Sequence, residues 1–386
     1  MRILHIVTGL AAGGAERQLL LMLRHLPPGY DCEVATLTNP GTVAVALRAE
    51  GFTVHDLGMR GNRDLGVLPR LIRLVRAGRY DLVHTHLYRA GLYGRLAARL
   101  AGVRAVLATE HSLQAGVIEG RPTTRGVRVL YLAAERLGSA TVAVSGQVAG
   151  VLADWGVPAD RVHLLPNGIE AARYARPAGE RAAVRDRLRD ELGLPRAAFV
   201  VGGVGRLVPG KRFAVLLDAL AETRPAGRPE ARLLLVGAGP ERPVLERQAE
   251  RLGLADRVHF TGERDDVPEL LTAMDVLASP SAEETFGLAV LEGLAAGLPV
   301  LHSACPALDD LPPAAAPGAL ALPSDAAAYA AALAALADRR TAVLPRPPAV
   351  AHYDIARIAA ELATLYDRLG PAPPRRRADR RSTVRA

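Results

Sequence analysis

Lysine is almost missing from this chain. Its 386 residues include 48 Lys and Arg together, and a single one of these, Lys211, is lysine. So complete a bias, alongside high Ala, Gly and Pro, reflects genome composition and makes the one retained ammonium informative. Cysteine is nearly absent too. Cys32 and Cys305 stand far apart with no CxxC, which argues against a disulfide framework and a cysteine zinc site and fits a reducing compartment. Aromatics are 4% of the residues, so the packing is aliphatic. With no aromatic platform beside the basic residues, nucleic acid is not expected as a partner. No stretch approaches the ~20 apolar residues of a membrane span. The opening Met1–Gly9 reads as a strand broken by glycine, too short for a signal peptide. A cytoplasmic protein is expected.

What is present is globular: 49% hydrophobic and 23% charged residues, at a length that suits two or three domains. The net charge of +8 is concentrated near the C-terminus, at Arg375, Arg376, Arg377, Arg380, Arg381 and Arg385. That Pro- and Arg-rich tail is expected to be disordered. Together with the basic surface it suits peripheral contact with anionic lipid at the inner face of a membrane.

Two halves repeat one grammar. Short apolar strands at Ile3–Val7, Cys32–Leu37, Thr53–Asp56, Leu82–His84, Ala105–Thr109 and Thr141–Val144 alternate with helical patterns. After a strand ending in Pro166-Asn167-Gly168, the alternation restarts at Phe199–Val204 and runs through Arg232–Val236, Arg257–Thr261, Val276–Ser279, Pro299–His302 and Ala319–Leu322. Such alternation predicts doubly wound parallel sheets, hence an α/β protein of two Rossmann-like domains with ligands in the cleft between them.

Lys211 follows the apolar run Phe199–Val204 in Gly205-Arg206-Leu207-Val208-Pro209-Gly210-Lys211. A compact ammonium just past a buried strand suits a phosphate. These residues fill the first seven positions of a P-loop, but Arg212 replaces the Ser/Thr that would hold magnesium and Pro209 removes an amide, so an NTPase is not expected. In Ser279–Gly293, Glu284 lies in the loop before a helix and Glu292 lies inside it. A carboxylate at such a junction accepts hydrogen bonds from sugar hydroxyls, and the helix start at Phe286-Gly287-Leu288 offers amides to an anion. A solvated acidic helix start is the plainer alternative. His84 and His86 share one strand face, but without a clustered third ligand no metal is expected there.

Glu284 and Glu292 resemble the E-x7-E element of retaining glycosyltransferases of family 4, which have the GT-B fold. The resemblance extends in order through Gly13-Gly14-Ala15-Glu16-Arg17, Asp81–His86, Thr109–Ser112, Val142–Ser145, Leu165–Ile169, Gly205–Leu207, Gly210-Lys211, Leu235–Pro240, Val258–Gly262 and Ala296–Val300. It implies that Arg206 and Lys211 grip the nucleotide diphosphate, that Glu284 holds the transferred sugar and that Glu292 holds the ribose. Amides of Phe286, Gly287 and Leu288 would bind sugar and phosphate, and Gly13 and Gly14 would approach the diphosphate across the cleft. His111 would sit beside the donor sugar and Arg264 near the base. The resemblance further implies a nucleotide-sugar donor (a UDP-sugar by family prevalence), a glycan, lipid-linked or small-molecule acceptor, and no cofactor or metal. Tyr88, Arg89, Arg95 and Arg125 are candidates for the acceptor side.

One stretch departs from the family pattern. Where a Gly-Gly-x-Pro-Glu loop is usual, this chain has Ser303–Asp310. The expected organisation is 1–172 as acceptor-side domain, 173–352 as nucleotide-sugar domain, 353–370 as a helix crossing back to the first domain, and 371–386 as the tail. A nucleotide-sugar epimerase of the same double-Rossmann plan, or a non-catalytic nucleotide-sugar-binding module, are the alternatives.

Overall fold

The computed structural model describes residues 1–11, 13–61, 64–119, 121–222, 230–339 and 343–371. Most of the Arg-rich tail, from residue 372 on, therefore lies outside the described residues.

The N-terminal sheet is built from β1 (Arg2–Val7), β2 (Asp31–Thr36), β3 (Thr53–Asp56), β4 (Leu82–His86), β5 (Ala105–Glu110), β9 (Ala140–Ala143) and β10 (Val162–Leu164). Between β5 and β9 the chain forms a small antiparallel ribbon of β6 (Leu113–Gln114), β7 (Val117–Ile118) and β8 (Arg121–Pro122). The main sheet is parallel throughout, in the order β10-β9-β5-β4-β1-β2-β3. The second sheet runs β13-β12-β11-β14-β15-β16, again all parallel, where β11 is Phe199–Val204, β12 Ala231–Val236, β13 Val258–Gly262, β14 Val276–Ser279, β15 Val300–His302 and β16 Ala319–Ala321.

Alternate residues of each strand enter separate cores, which is why the strands read as continuous apolar runs. In β11, Phe199 and Val201 pack on one side of the sheet and Val200 on the other. In β1, Leu4 and Ile6 join the cluster holding Leu71, Val75, Ala97 and Ala98, while Ile3 faces the opposite side. That opposite side is covered by the helix Ile355–Leu369, whose Ile358, Leu362, Leu365 and Tyr366 pack on Ile3, Leu82, Ala105 and Leu107. The last helix therefore belongs to the first domain.

The chain passes between domains twice, and the two passages are bonded to each other. Ile169 N donates to Tyr353 O at 2.8 Å and Ile355 N donates to Ile169 O at 3.0 Å. Gln18 fastens the same point, with Nε2 donating to Gly168 O at 2.8 Å and Oε1 accepting from Gly168 N at 3.0 Å.

In both sheets the strand order reverses beside the first strand, between β1 and β4 and between β11 and β14. The crevice beyond the carboxyl ends at such a reversal is where ligands bind in open α/β sheets. Here the two reversals face each other.

Candidate active site

The helix Gly14–His25 starts at Gly13 just beyond β1, and no side chain caps Gly13. A Cβ on Gly14 would stand 3.8 Å from Leu288 Cδ1 of the opposite domain, so the glycine loop and the helix Leu288–Ala295 face each other across a narrow gap. Gly287, the N-cap of that helix, has φ +101° and no side-chain cap. With no side-chain cap, the first amides of the helix are free to serve an anion.

Lys211 lies at the end of the single helical turn Pro209–Lys211 that follows β11. Its Nζ is in ion-pair contact with Glu284 Oε1, reached from the loop after β14. The two groups thus converge from either side of the sheet reversal. Arg206 is exposed at the same edge. Glu16, from the first turn of the facing helix Gly14–His25, feels its charge: burial raises the Glu16 pKa, and its own amide and Arg206 oppose the rise. Glu292 points back toward the interdomain passages. Burial raises its pKa, opposed by a hydrogen bond from Tyr174 and by the charges of Arg17 and Arg173.

Three contacts tie the domains around this gap. Thr285 Oγ1 donates to His111 O at 2.8 Å. Arg17 reaches Arg264 O at 3.4 Å and Asp265 Oδ1 at 3.6 Å. Asp310 Oδ2 accepts from Gly146 N at 2.8 Å, placing a carboxylate on the N-terminus of the helix Gly146–Trp155. The Gln18–Gly168 pair, within the first domain, steadies the interdomain passage beside them. A cavity of about 270 Å³ opens at this rim between Glu284 and Asp310, walled also by Gln147, Ser303 and Asp309.

The divergent Ser303–Asp310 stretch is docked under the helix start. Ala307 N donates to Phe286 O at 2.9 Å, and the buried Cys305 thiol lies against Gly287. Burial pushes that thiol up to about 12, so it stays protonated and packs as a small apolar group.

His111 follows β5 and faces the gap. Burial lowers its pKa to about 4, with the Asn167 side chain opposing, so the ring is neutral near pH 7. Its Nε2 lies 3.2 Å from His86 Nδ1, and His86 Nε2 lies 3.1 Å from His5 Nδ1. Nitrogens of His5, His84 and His86 lie within 4.8 Å of one another, a spacing open to a metal ion. Both His84 nitrogens are already engaged, with Tyr366 Oη and Thr109 Oγ1, each at 2.7 Å. To serve as a ligand the ring would have to give up one of these bonds, so hydrogen bonding describes the cluster better than ligation.

The structure thus brings Gly13, Gly14, His111, Arg206, Lys211, Glu284, Phe286, Gly287, Leu288 and Glu292 to one cleft. Arg264 is otherwise engaged, its guanidinium bidentate to Asp266 at 2.7 and 2.6 Å and 3.3 Å from Glu191. Arg95 is a correction. Expected on the acceptor side, it is fully buried beneath the helix Arg125–Glu135, with Nη2 donating to Thr141 Oγ1 at 3.1 Å and its guanidinium over the Tyr131 ring. Sequence reasoning also passed over Arg17, Gln18 and Tyr174, whose roles appear only when the domains are assembled.

Comparison with known proteins agrees with this geometry. The family model described as Glycosyltransferase Family 4 matches residues 12–173, and that described as Glycosyl transferases group 1 matches residues 198–339. The 2-deoxystreptamine N-acetyl-D-glucosaminyltransferase of Streptomyces fradiae is 32% identical over 352 residues, 82% of this chain and 81% of that one. The chain belongs to glycosyltransferase family 4. Another family 4 relative, the D-inositol 3-phosphate glycosyltransferase of Salinispora arenicola, is 36% identical over 248 residues, covering 59% of this chain. The match spans about half (54%) of that relative's length. Among solved structures, Anabaena HepE in complex with UDP-glucose superposes with a TM-score of 0.80 at 24% identity, over 95% of this chain and 100% of the other. That likeness establishes the GT-B fold. Among the described residues no helix is long and apolar enough to cross a membrane.

Proposed function

We propose that this family 4 member is a retaining glycosyltransferase that moves a sugar from a nucleotide donor, a UDP-sugar, to a hydroxyl of a glycan, lipid-linked or small-molecule acceptor. The observation that carries the reading is the convergence of Lys211 and Glu284 at one sheet reversal, opposite Gly14. Lys211 and Arg206 neutralise the departing diphosphate, Glu284 orients the sugar hydroxyls and Glu292 takes the ribose diol. Electrostatic stabilisation of the leaving group then supplies most of the rate. The glycosidic bond to the phosphate breaks as the acceptor oxygen bonds to the anomeric carbon on the same face, and the leaving phosphate takes the acceptor's proton.

No carboxylate nucleophile and no metal enter this scheme. An epimerase of the same double-Rossmann plan gives no role to a Lys211–Glu284 pair. The acceptor side also fits contact with an anionic membrane, through exposed Val129 and Leu130 flanked by Arg125 on the helix Arg125–Glu135.

The test is a panel of UDP- and GDP-sugars with inositol phosphate, aminocyclitol and polyprenyl-diphosphate-glycan acceptors, scored for transfer and for the anomeric configuration of the product. Retention with a UDP-sugar, abolished by Lys211→Ala and Glu284→Ala, is expected. Inversion, or full transfer by both variants, would overturn the assignment.

A further inference from the structure

The loop that carries Glu284 is fastened on both sides of Thr285. Glu284, just before it, pairs with Lys211. Phe286, just after it, is buried with its ring edge-on to Tyr353, and its carbonyl accepts from Ala307 N at 2.9 Å. The Thr285 side chain alone crosses the cleft from this loop, where Oγ1 donates to His111 O at 2.8 Å.

His111 is held as firmly on its own side. It follows β5 directly, and its Nε2 lies 3.2 Å from His86 Nδ1. The next carbonyl, Ser112 O, accepts from Glu119 N at 3.2 Å. Glu119 stands between β7 and β8 of the antiparallel ribbon, and its Oε1 accepts from Tyr88 N at 2.7 Å. Tyr88 begins the helix Tyr88–Ala101 just beyond β4. Hydrogen bonds and single peptide links therefore run without a break from the Glu284 loop to the ribbon and the β1–β4 reversal.

We propose that Thr285 is a positioning residue that couples the donor half of the reaction to the acceptor half. Its hydroxyl holds His111 O, so a sugar held by Glu284 meets the His111 ring and the acceptor-side ribbon at one fixed spacing. The proposal rests on the reading of Glu284 as the carboxylate that holds the sugar.

The other two interdomain contacts are less suited to this task. Asp310 meets Gly146 N at the rim, beside the divergent loop. Arg17 reaches Arg264 O and the exposed Asp265 at 3.4 and 3.6 Å, long contacts that solvent screens. The Thr285 bond is short, and it joins the neighbour of Glu284 to the residue expected beside the sugar. Threonine is branched at Cβ, which restricts χ1 and keeps the hydroxyl aimed. A misplacement of about 1 Å costs about a hundredfold in rate. One such bond therefore matters more to the reaction than to the stability of the fold.

Two variants divide the side chain. Thr285→Val keeps its shape and removes the donor, while Thr285→Ser keeps the donor and removes the methyl. Thr285→Val should lower transfer kcat about tenfold with donor KM within about twofold. It should also raise the UDP released per glycoside formed. Water then bonds to the anomeric carbon in place of the acceptor, and its proton passes to the departing phosphate. Thr285→Ser should stay near wild type in all three readings. Hydrogen exchange over 109–113 and 284–288, read by mass spectrometry on the ligand-free full chain, needs no turnover. It should quicken in the Val variant and not in the Ser variant. Should Thr285→Val not fold, Thr285→Ala removes the same donor and is read in the same way.

Equal losses in the Val and Ser variants would assign Thr285 to packing and overturn the proposal. So would an unchanged ratio of UDP to product in Thr285→Val, or exchange identical to wild type. If the wild type transfers from no nucleotide sugar, the proposed function fails instead. The exchange comparison would still decide whether the Thr285 bond joins the two domains.

Discussion

Lys211 and Glu284, a cation expected on the diphosphate and a carboxylate expected on the sugar, are paired with each other before any donor arrives. Donor binding therefore exchanges one partner of each group for another, and it does not have to desolvate either charge from water. An ammonium can swing between the two acceptors, whereas a planar guanidinium on a longer stem cannot occupy the same space. Lys211→Arg is accordingly expected to lose about tenfold in kcat despite conserving charge, and Lys211→Ala about a hundredfold or more. The check is UDP release under saturating acceptor. A silent Lys211→Arg would mean that this lysine is merely the last one left in an arginine-rich chain.

Gly287 is fixed by backbone and by space at once. At φ +101°, a Cβ would stand 2.5 Å from Cys305 Sγ and 3.3 Å from Cys305 Cα. Gly287→Ala should cost about 2–4 kcal/mol from left-handed strain and overlap combined. Adding Cys305→Ala removes the contact with sulfur and should restore only part of that loss. Urea unfolding of the single and double variants measures both, and complete recovery would show that backbone strain contributes nothing.

Asp310 occupies the divergent loop and bonds across the cleft to Gly146 N at 2.8 Å. Removing it leaves a helix N-terminus without its anion and loosens the domain contact, by about 1 kcal/mol. Asp310→Ala is expected to lower kcat/KM about fivefold with little change in thermal stability, and to raise the radius of gyration in X-ray scattering. Unchanged scattering together with unchanged kinetics would remove this contact from the domain-closing set.

Acid should destabilise the protein through its buried histidines. His111 titrates near 4 when folded, because burial disfavours the imidazolium, and near 6.5 when unfolded. Between those values the unfolded chain binds the extra proton, so stability is complete above about pH 6.5 and is lost as the pH falls toward 4. At pH 5 the loss from this ring is about 2 kcal/mol. Burial raises Glu110 and Glu292, which favours protons on the folded state and works the other way. The comparison that isolates the ring is the drop in unfolding free energy from pH 7.5 to 5 in wild type and His111→Asn. The drop should be smaller in the variant by about 2 kcal/mol, and equal drops would contradict the buried neutral ring.

Much of the fold was legible because each strand is buried on both faces, so apolar runs such as Phe199–Val204 and Ala105–Thr109 stand out from polar turns. The ribbon of β6, β7 and β8 was not, since two-residue strands carry no periodicity. Nor was the helix Arg125–Glu135 anticipated, and that omission explains Arg95. Without the covering helix the arginine reads as solvated, and beneath it the same side chain is sealed against Tyr131 and Thr141. Lys211 and Glu284 were recognisable in their separate segments, but their contact depends on the neighbouring strands β11 and β14. His84 and His86 announced a shared face by their alternation. Their link to His5 and His111 was hidden because it depends on strand register, with His5 opposite His84 and His86 opposite Thr109.

The helix Ile355–Leu369 lays Ile358, Leu362 and Tyr366 on the first domain, and Tyr366 Oη reaches His84. The N-terminal domain is therefore encoded in two separate pieces of the chain, with the whole C-terminal domain inserted between them. A chimaera that exchanges C-terminal domains must keep 353–370 with its original N-terminal partner. During synthesis, residues 1–172 leave the ribosome with Ile3, Leu82 and Leu107 still uncovered, and they stay so until the final helix emerges. The half of the enzyme that begins folding first is completed last, and it is the half most dependent on chaperones in the interval.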